Sequence, residues 1–439
     1  MSITEITGIE RLETDGGGSL RGYSIELPIS GSVKNSYAFE LGGWVLAQES
    51  RVTQVELIAN DGPVRRIPIV FPRADVAQAF PGTPEGTKVG FWAPISVIGM
   101  TPEFALLIQA VLDDGRRTPI ARVLGRHRAL PSHFHSSMRP LLINSLARMG
   151  TTWVMRLLSE HPAIATLRIY PYEVRPARYW MQLIGAMAEP ANQAQSSSKL
   201  GIVPEEWWGD QDPMQRGSLD RNPVFQQWFN TYFVEQVAQV CQQNIENCYR
   251  EIAASQNQPP PQYFAEKHIP DEVPGIAWEL YPGTREIFVV RDFRDMLCSI
   301  RAFNAKRGTL GFNRDMVASE EEYIHRLGRE ARQLLSGWRS RRERTLLIRY
   351  EDLILRPAET LQQIFTYLDL ESGELAIEGL ISRASVDTPE LAGHRTSGNA
   401  AASIGRWKTD LDSQSLTLSE EVFGEALREF GYEKPLYDQ

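Results

Sequence analysis

Two textures of hydrophobic patterning divide this chain. Up to about residue 130 the apolar positions come in short or alternating runs, Tyr37 to Leu41, Trp44 to Ala47, Arg51 to Ala59 and Phe104 to Leu112. Turn signals at Gly42-Gly43, Asp61-Gly62 and Asp113-Asp114-Gly115 separate them. The pattern predicts a smaller β-sandwich domain over residues 1–130. Its last pair, ALLIQAVLDDGRRTPIARVLG, reads as a hairpin with an Asp-Gly turn. The polar, proline-containing stretch His127 to Met138 marks the boundary.

From Arg139 to the end at residue 439 the pattern is α/β. A buried strand, Pro140 to Asn144, leads through a tight loop into a helix opened by Gly150, Thr151 and Thr152. An irregular region, 168–222, carries Trp180, Trp207 and Trp208, and 223–256 has a helical pattern. Further short strands are QYFAEKHIP, Ile287 to Val290 and Arg344 to Arg349. Each of the last two runs into a helix with an apolar stripe: Met296, Leu297, Ile300 and Phe303, then Leu361, Ile364, Phe365 and Leu368 after Pro357. Strands alternating with helices predict a parallel sheet with helices on both faces. Ligands of such sheets bind beyond the carboxyl ends of the strands, which puts Arg148, His268, Arg291 and Tyr350 at one edge.

Composition narrows the classes. With 42% hydrophobic and 23% charged residues the chain is globular. No apolar run reaches the length of a membrane span, and the N-terminus does not read as a secretory signal, so a cytoplasmic protein is expected. A formal charge of −9 disfavours nucleic acid as a partner but leaves room for a local anion site. The three cysteines form no C-x-x-C pair, and the seven histidines no H-E-x-x-H; His133 and His135 read as linker. No metal is expected, and oligomeric state is not legible.

The chemistry starts at LARMGTTW. A helix opening with glycine and two threonines presents unpaired N–H groups and the positive end of its dipole, and Arg148 adds a full charge. The ATP-binding P-loop has a lysine after its second glycine, where this chain has Thr151, so an ordinary kinase pattern is incomplete.

The series LARMGTTW, EKHIP, VVRDFRDMLCS, RYEDL and SIGRWK, in this order over about 139–412, resembles the sulfotransferases that use 3′-phosphoadenosine 5′-phosphosulfate (PAPS). The resemblance implies the P-loop-like sulfotransferase fold and transfer of a sulfuryl group from PAPS to an acceptor hydroxyl, without a metal. It implies that Arg148, Met149, Gly150, Thr151 and Thr152 hold the 5′-phosphosulfate, that Trp153 stacks on adenine with Tyr350 nearby, and that Arg291 and Ser299 bind the 3′-phosphate. His268 falls where the cytosolic branch has its catalytic histidine. Other branches use a glutamate, which brings in Glu266, with Lys267 at the bridging oxygen. The C-terminal stretch lacks the Arg-Lys-Gly triplet of the cytosolic branch; Arg406, Trp407 and Lys408 resemble a bacterial closing loop, with Arg395 or Lys408 in place of the missing cations. The expected acceptor is a small molecule or glycan, such as a cell-envelope component. The competing readings are a P-loop kinase and a non-catalytic glycan- or partner-binding protein.

Overall fold

Alternation in the N-terminal part produces two antiparallel sheets in the computed structural model, which describes residues 2–12, 19–59, 62–131, 134–188, 224, 228–269, 274–371 and 373–432. One sheet has six strands in the order Val33–Lys34, Thr4–Arg11, Arg117–His127, Glu103–Leu112, Val52–Ala59, Gly62–Pro68; the other has four, Leu20–Leu27, Ala38–Ala47, Lys88–Ser96, Phe71–Pro72. The β-rich architecture expected for this region is present. Strand Glu103–Leu112 turns Phe104, Leu106, Ile108 and Ala110 inward, and it pairs antiparallel with Arg117–His127 through a turn whose Gly115 has φ 84°. The expected break at Gly42-Gly43 is absent, because both glycines lie inside one strand, Ala38–Ala47. They are there for close approach: a Cβ on Gly43 would lie 2.0 Å from the Ser24 carbonyl oxygen of the neighbouring strand.

The chain divides into two compact units, and the division is not a single cut near residue 130. The first unit is Met1–His135 together with Arg178–Asn244 and Val273–Pro282; the second is Ser136–Ala177, Ile245–Glu272 and Gly283–Gln439. The later segments join the sandwich through half-buried carboxylates. Glu279 accepts hydrogen bonds from the Gly99 and Leu130 amides at 2.6 and 2.7 Å, and Glu235 accepts one from the Tyr37 hydroxyl at 3.0 Å. Such pairings have no local sequence signature. His133, Trp207 and Trp208 lie outside the described residues.

The second unit is built on a five-stranded parallel sheet in the order Ile164–Ala165, Tyr263–His268, Arg139–Asn144, Arg285–Val290, Leu346–Arg349. Strand residues alternate between two cores. Ile287 and Val289 pack with Val154, Leu158, Leu361 and Phe365 on one face, while Phe288 and Val290 pack with Met296, Leu297, Leu327 and Phe423 on the other. Helices cover both faces, as the near-continuous apolar strands require. The strand order reverses at Arg139–Asn144: the chain first extends the sheet to one side and later to the other. The crevice at the carboxyl end of that strand is the topological switch point, where such sheets place their ligands. Among the described residues no helix is long and apolar enough to cross a membrane.

Candidate active site

The loop after the central strand is tied to both neighbours. The Ser145 hydroxyl donates to the Val289 carbonyl at 2.6 Å, and its amide donates to the His268 carbonyl at 3.2 Å. Two residues then take left-handed backbone, Arg148 (φ 62°) and Gly150 (φ 92°). Glycine is needed at 150 for a second reason: a Cβ there would sit 2.3 Å from the Tyr350 ring. The following helix, Thr151–Ser159, has no side-chain cap and no acid in its first turn. Its positive end faces a cavity of about 630 Å³ at the switch point, a size that suits a nucleotide-sized ligand.

Three cations surround this loop. The Arg148 guanidinium lies 4.4 Å over the Phe303 ring and donates to the Ser299 hydroxyl at 3.2 Å and to the His394 carbonyl at 2.9 Å. Burial, with Arg291 next in effect, pushes its pKa down to about 10. Arg291 is 4% exposed and lies 4.8 Å over the Tyr350 ring. It donates to the carbonyls of Arg148, at 3.3 Å, and Ser403, and its Nε finds no partner. Neither adjacent acid hydrogen-bonds to it: Asp292 pairs with Arg294 at 2.8 Å, and Asp295 accepts from the Gly405 and Trp407 amides, so that Asp295 and Glu351 attract it only at longer range. The ion pair that would make Arg291 merely structural is therefore not formed. The Lys267 ammonium donates to the Thr152 hydroxyl at 2.8 Å, to the Pro171 carbonyl and to Glu173 at 2.9 Å; burial lowers its pKa although Glu173 works the other way.

Strand alternation separates the three candidates in EKH. Lys267 faces the anion loop, whereas Glu266 and His268 share the opposite face of their strand. Glu266 is 2% exposed, accepts from the Tyr249 hydroxyl and from the Ala177 amide at 2.7 Å, and does not border the cavity. His268 borders the cavity, with its Nε2 3.7 Å from Glu266 Oε2. Among the described residues the carboxylate lining the cavity is Glu173, an exposed side chain from the loop after the first helix of this unit that the sequence analysis did not single out. Its signal was weak: one acid in an irregular stretch.

The remaining candidates sort in the same way. Trp153 borders the cavity beside Leu353, Ile354, Pro357 and Ile381, its indole N–H without a partner. Met149 is fully buried in the core, so only its backbone is available to a ligand. Tyr350 stands between Gly150 and Arg291, its hydroxyl 3.2 Å from that of Ser403. Arg406, Trp407 and Lys408 do not border the cavity. Arg406 binds Asp410 at 2.7 Å, Trp407 lies 3.8 Å under the Arg294 guanidinium, and Lys408 lies 5.8 Å from the Trp407 ring. Asp295 anchors this segment by its backbone and so turns these side chains away. The preceding residues His394, Arg395, Thr396, Ser397 and Ser403 reach the cavity instead, with Arg395 held 2.6 Å from Asp387.

A parallel sheet whose central strand ends in an uncapped, cation-lined loop and helix defines an α/β protein of the P-loop-like class. Within that class, the sequence model of the sulfotransferase family matches residues 140–374, more than half of the chain. The chain belongs to this family, the PAPS-dependent sulfotransferases that its motifs resemble. No curated protein matches the sequence. Similar solved structures include mouse sulfotransferase SULT7A1 complexed with PAP, at 13% identity over 67% of this chain and 85% of that one, TM-score 0.37. Sulfotransferase STF9 from Mycobacterium avium (16%, 68% and 78%, 0.33) and the sulfotransferase domain from the curacin biosynthetic pathway (16%, 68% and 99%, 0.34) are comparable. The family assignment rests on the sequence match.

Proposed function

We propose that the cavity binds PAPS and directs its sulfuryl group to an acceptor hydroxyl, releasing adenosine 3′,5′-bisphosphate. The observation that carries this reading is the pair of guanidiniums, half-buried Arg148 and buried Arg291, which hydrogen-bond to carbonyl and hydroxyl acceptors but, among the described residues, to no carboxylate. Cations left in this state suit a multiply charged ligand. In this assignment the amides of Gly150, Thr151 and Thr152, with Arg148 and Lys267, take the 5′-phosphosulfate. Arg291 and Ser299 take the 3′-phosphate, and Trp153 with its apolar neighbours takes the adenine. Arg148 and Lys267 meet the charge that develops on the leaving phosphate.

Glu173 is our choice for the general base. It is the carboxylate of the cavity, and Lys267 ties it to the Thr152 hydroxyl at the mouth of the anion loop. The acceptor oxygen bonds to sulfur as the bond from sulfur to the 5′-phosphate oxygen breaks. The electron pair goes to that phosphate oxygen, and the hydroxyl proton goes to Glu173. His268, on the face of Glu266, would support the strand end.

For the acceptor we favour a carbohydrate or another cell-envelope hydroxyl, on the strength of the attached β-sandwich unit. An assay with sulfur-labelled PAPS across glycan, lipid and small-alcohol acceptors tests the reading, with transfer to a hydroxyl expected. No transfer to any acceptor, together with thermal stabilisation by ATP–Mg and none by adenosine 3′,5′-bisphosphate, would replace it with a kinase.

A further inference from the structure

His394 has no role in the scheme above, yet it borders the cavity at the end of the short helix Pro389–His394. Its ring stands edge-on to Tyr170 at 5.2 Å and leans on Phe303 at 5.1 Å. Phe303 is also the plate beneath Arg148, at 4.4 Å, and Arg307, at 4.5 Å. The imidazole is thus packed into a cationic cluster drawn from several elements: Arg148 of the anion loop, Lys267 of strand Tyr263–His268 and Arg307 of helix Phe293–Arg307. The loop after the first helix of the unit contributes Tyr170 and the carboxylate Glu173, the helix of His394 itself carries Glu390, and Lys306 donates to the Ala392 and Arg395 carbonyls on either side of the residue. Burial first, then these cations, hold the ring down to about 4, so it is neutral near pH 7. The backbone of the same residue is engaged as well, because its carbonyl accepts from Arg148.

We propose that nucleotide binding in this cavity is coupled to proton uptake by His394. The inference rests on the reading of the cavity as a PAPS site. A phosphate group brings about −1.5 to −2 charges at neutral pH. Placed among Arg148, Lys267 and Arg307, it cancels the repulsion that these cations exert on an imidazolium and adds attraction of its own. The cost of burial remains, so the ring's affinity for protons recovers in part. By linkage, protonating His394 must then strengthen nucleotide binding by the same factor that binding strengthens protonation. This contribution is present at pH values below the bound-state pKa and is lost as pH rises through it.

The test follows the histidine directly. In protein carrying ¹³C-labelled histidine, the ring signal of His394 is assigned by its disappearance in His394→Gln, or in His394→Asn should the first variant fold poorly. It is then titrated with and without saturating adenosine 3′,5′-bisphosphate. The expected result is a rise of about one pKa unit or more on saturation. Calorimetry of bisphosphate binding at pH 5, between the free and bound values, in buffers of different ionisation enthalpy gives a second reading. Because the nucleotide phosphates titrate too, the difference between wild type and variant is what counts, and the variant should take up fewer protons. A bound protein whose His394 titrates as in the free state, with equal proton uptake in wild type and variant, overturns the coupling and leaves the nucleotide site standing. Failure of the wild-type protein to bind the bisphosphate at all overturns both.

Discussion

Charge is handled differently at the sheet of the first unit and at the cavity of the second. In the first, Glu56 is 2% exposed and meets Gln109 at 2.8 Å, Arg117 at 3.0 Å and Arg66 at 3.4 Å, while Glu279 is satisfied by two backbone amides. In the second, Arg148 and Arg291 lie close enough for one to depress the pKa of the other, and they have only hydroxyl and carbonyl acceptors. A charge that its own fold neutralises is part of the architecture. One that the fold holds by hydroxyl and carbonyl acceptors alone can be stabilised further by an anion. The difference separates scaffold from site without reference to any sequence motif.

Substitutions can break this contrast, and the largest effect is expected at Arg148. Arg148→Ala should cut turnover by about 10³-fold or more, while the melting temperature stays level or rises because a repelled half-buried cation is gone. Wild-type turnover in this variant would remove the residue from the mechanism. Next comes the base. Glu173→Gln should lower turnover by about 10²–10⁴-fold with bisphosphate affinity retained, and His268→Ala should fall within about tenfold of wild type. The opposite order of these two variants would return the role to His268.

Smaller effects sharpen the contrast. Arg291→Ala should weaken adenosine 3′,5′-bisphosphate by about 10–100-fold, a charge-assisted hydrogen bond being worth roughly 1.5–3 kcal/mol. Binding of adenosine 5′-phosphate should barely change; equal losses for both ligands would show that Arg291 does not read the 3′-phosphate. In the first unit, Glu279→Ala leaves the Gly99 and Leu130 amides without their acceptor and should cost about 1–3 kcal/mol of stability in chemical unfolding. Turnover per folded molecule should stay at the wild-type value. A loss of turnover there would mean that a half-buried charge of the scaffold also serves catalysis.

Much of the site was legible in the chain because its signals are local. LARMGTTW, just after a strand end, carries a glycine and a helix start within eight residues, and Arg291 follows an apolar strand directly. The structure adds the reason for Gly150, which is the Tyr350 ring two hundred residues away. Local signals also misled. Gly42 and Gly43 resembled a turn and proved to be a strand meeting its neighbour's backbone. Arg406 and Lys408 resembled phosphate ligands, but Asp295 holds their segment by its amides and turns both side chains elsewhere.

The sequence by itself determined the α/β class, the preceding β-rich region and the helix start at Gly150 beside Arg148, because each depends on periodicity or on residues adjacent along the chain. Tertiary structure alone decided which side of strand Tyr263–His268 meets the cavity. It also brought Glu173 to Lys267 and His394 to Arg148, and joined Glu279 to the sandwich. Those choices depend on contacts between residues far apart in the chain, where one residue's burial is settled by what packs against it, and no local pattern encodes that.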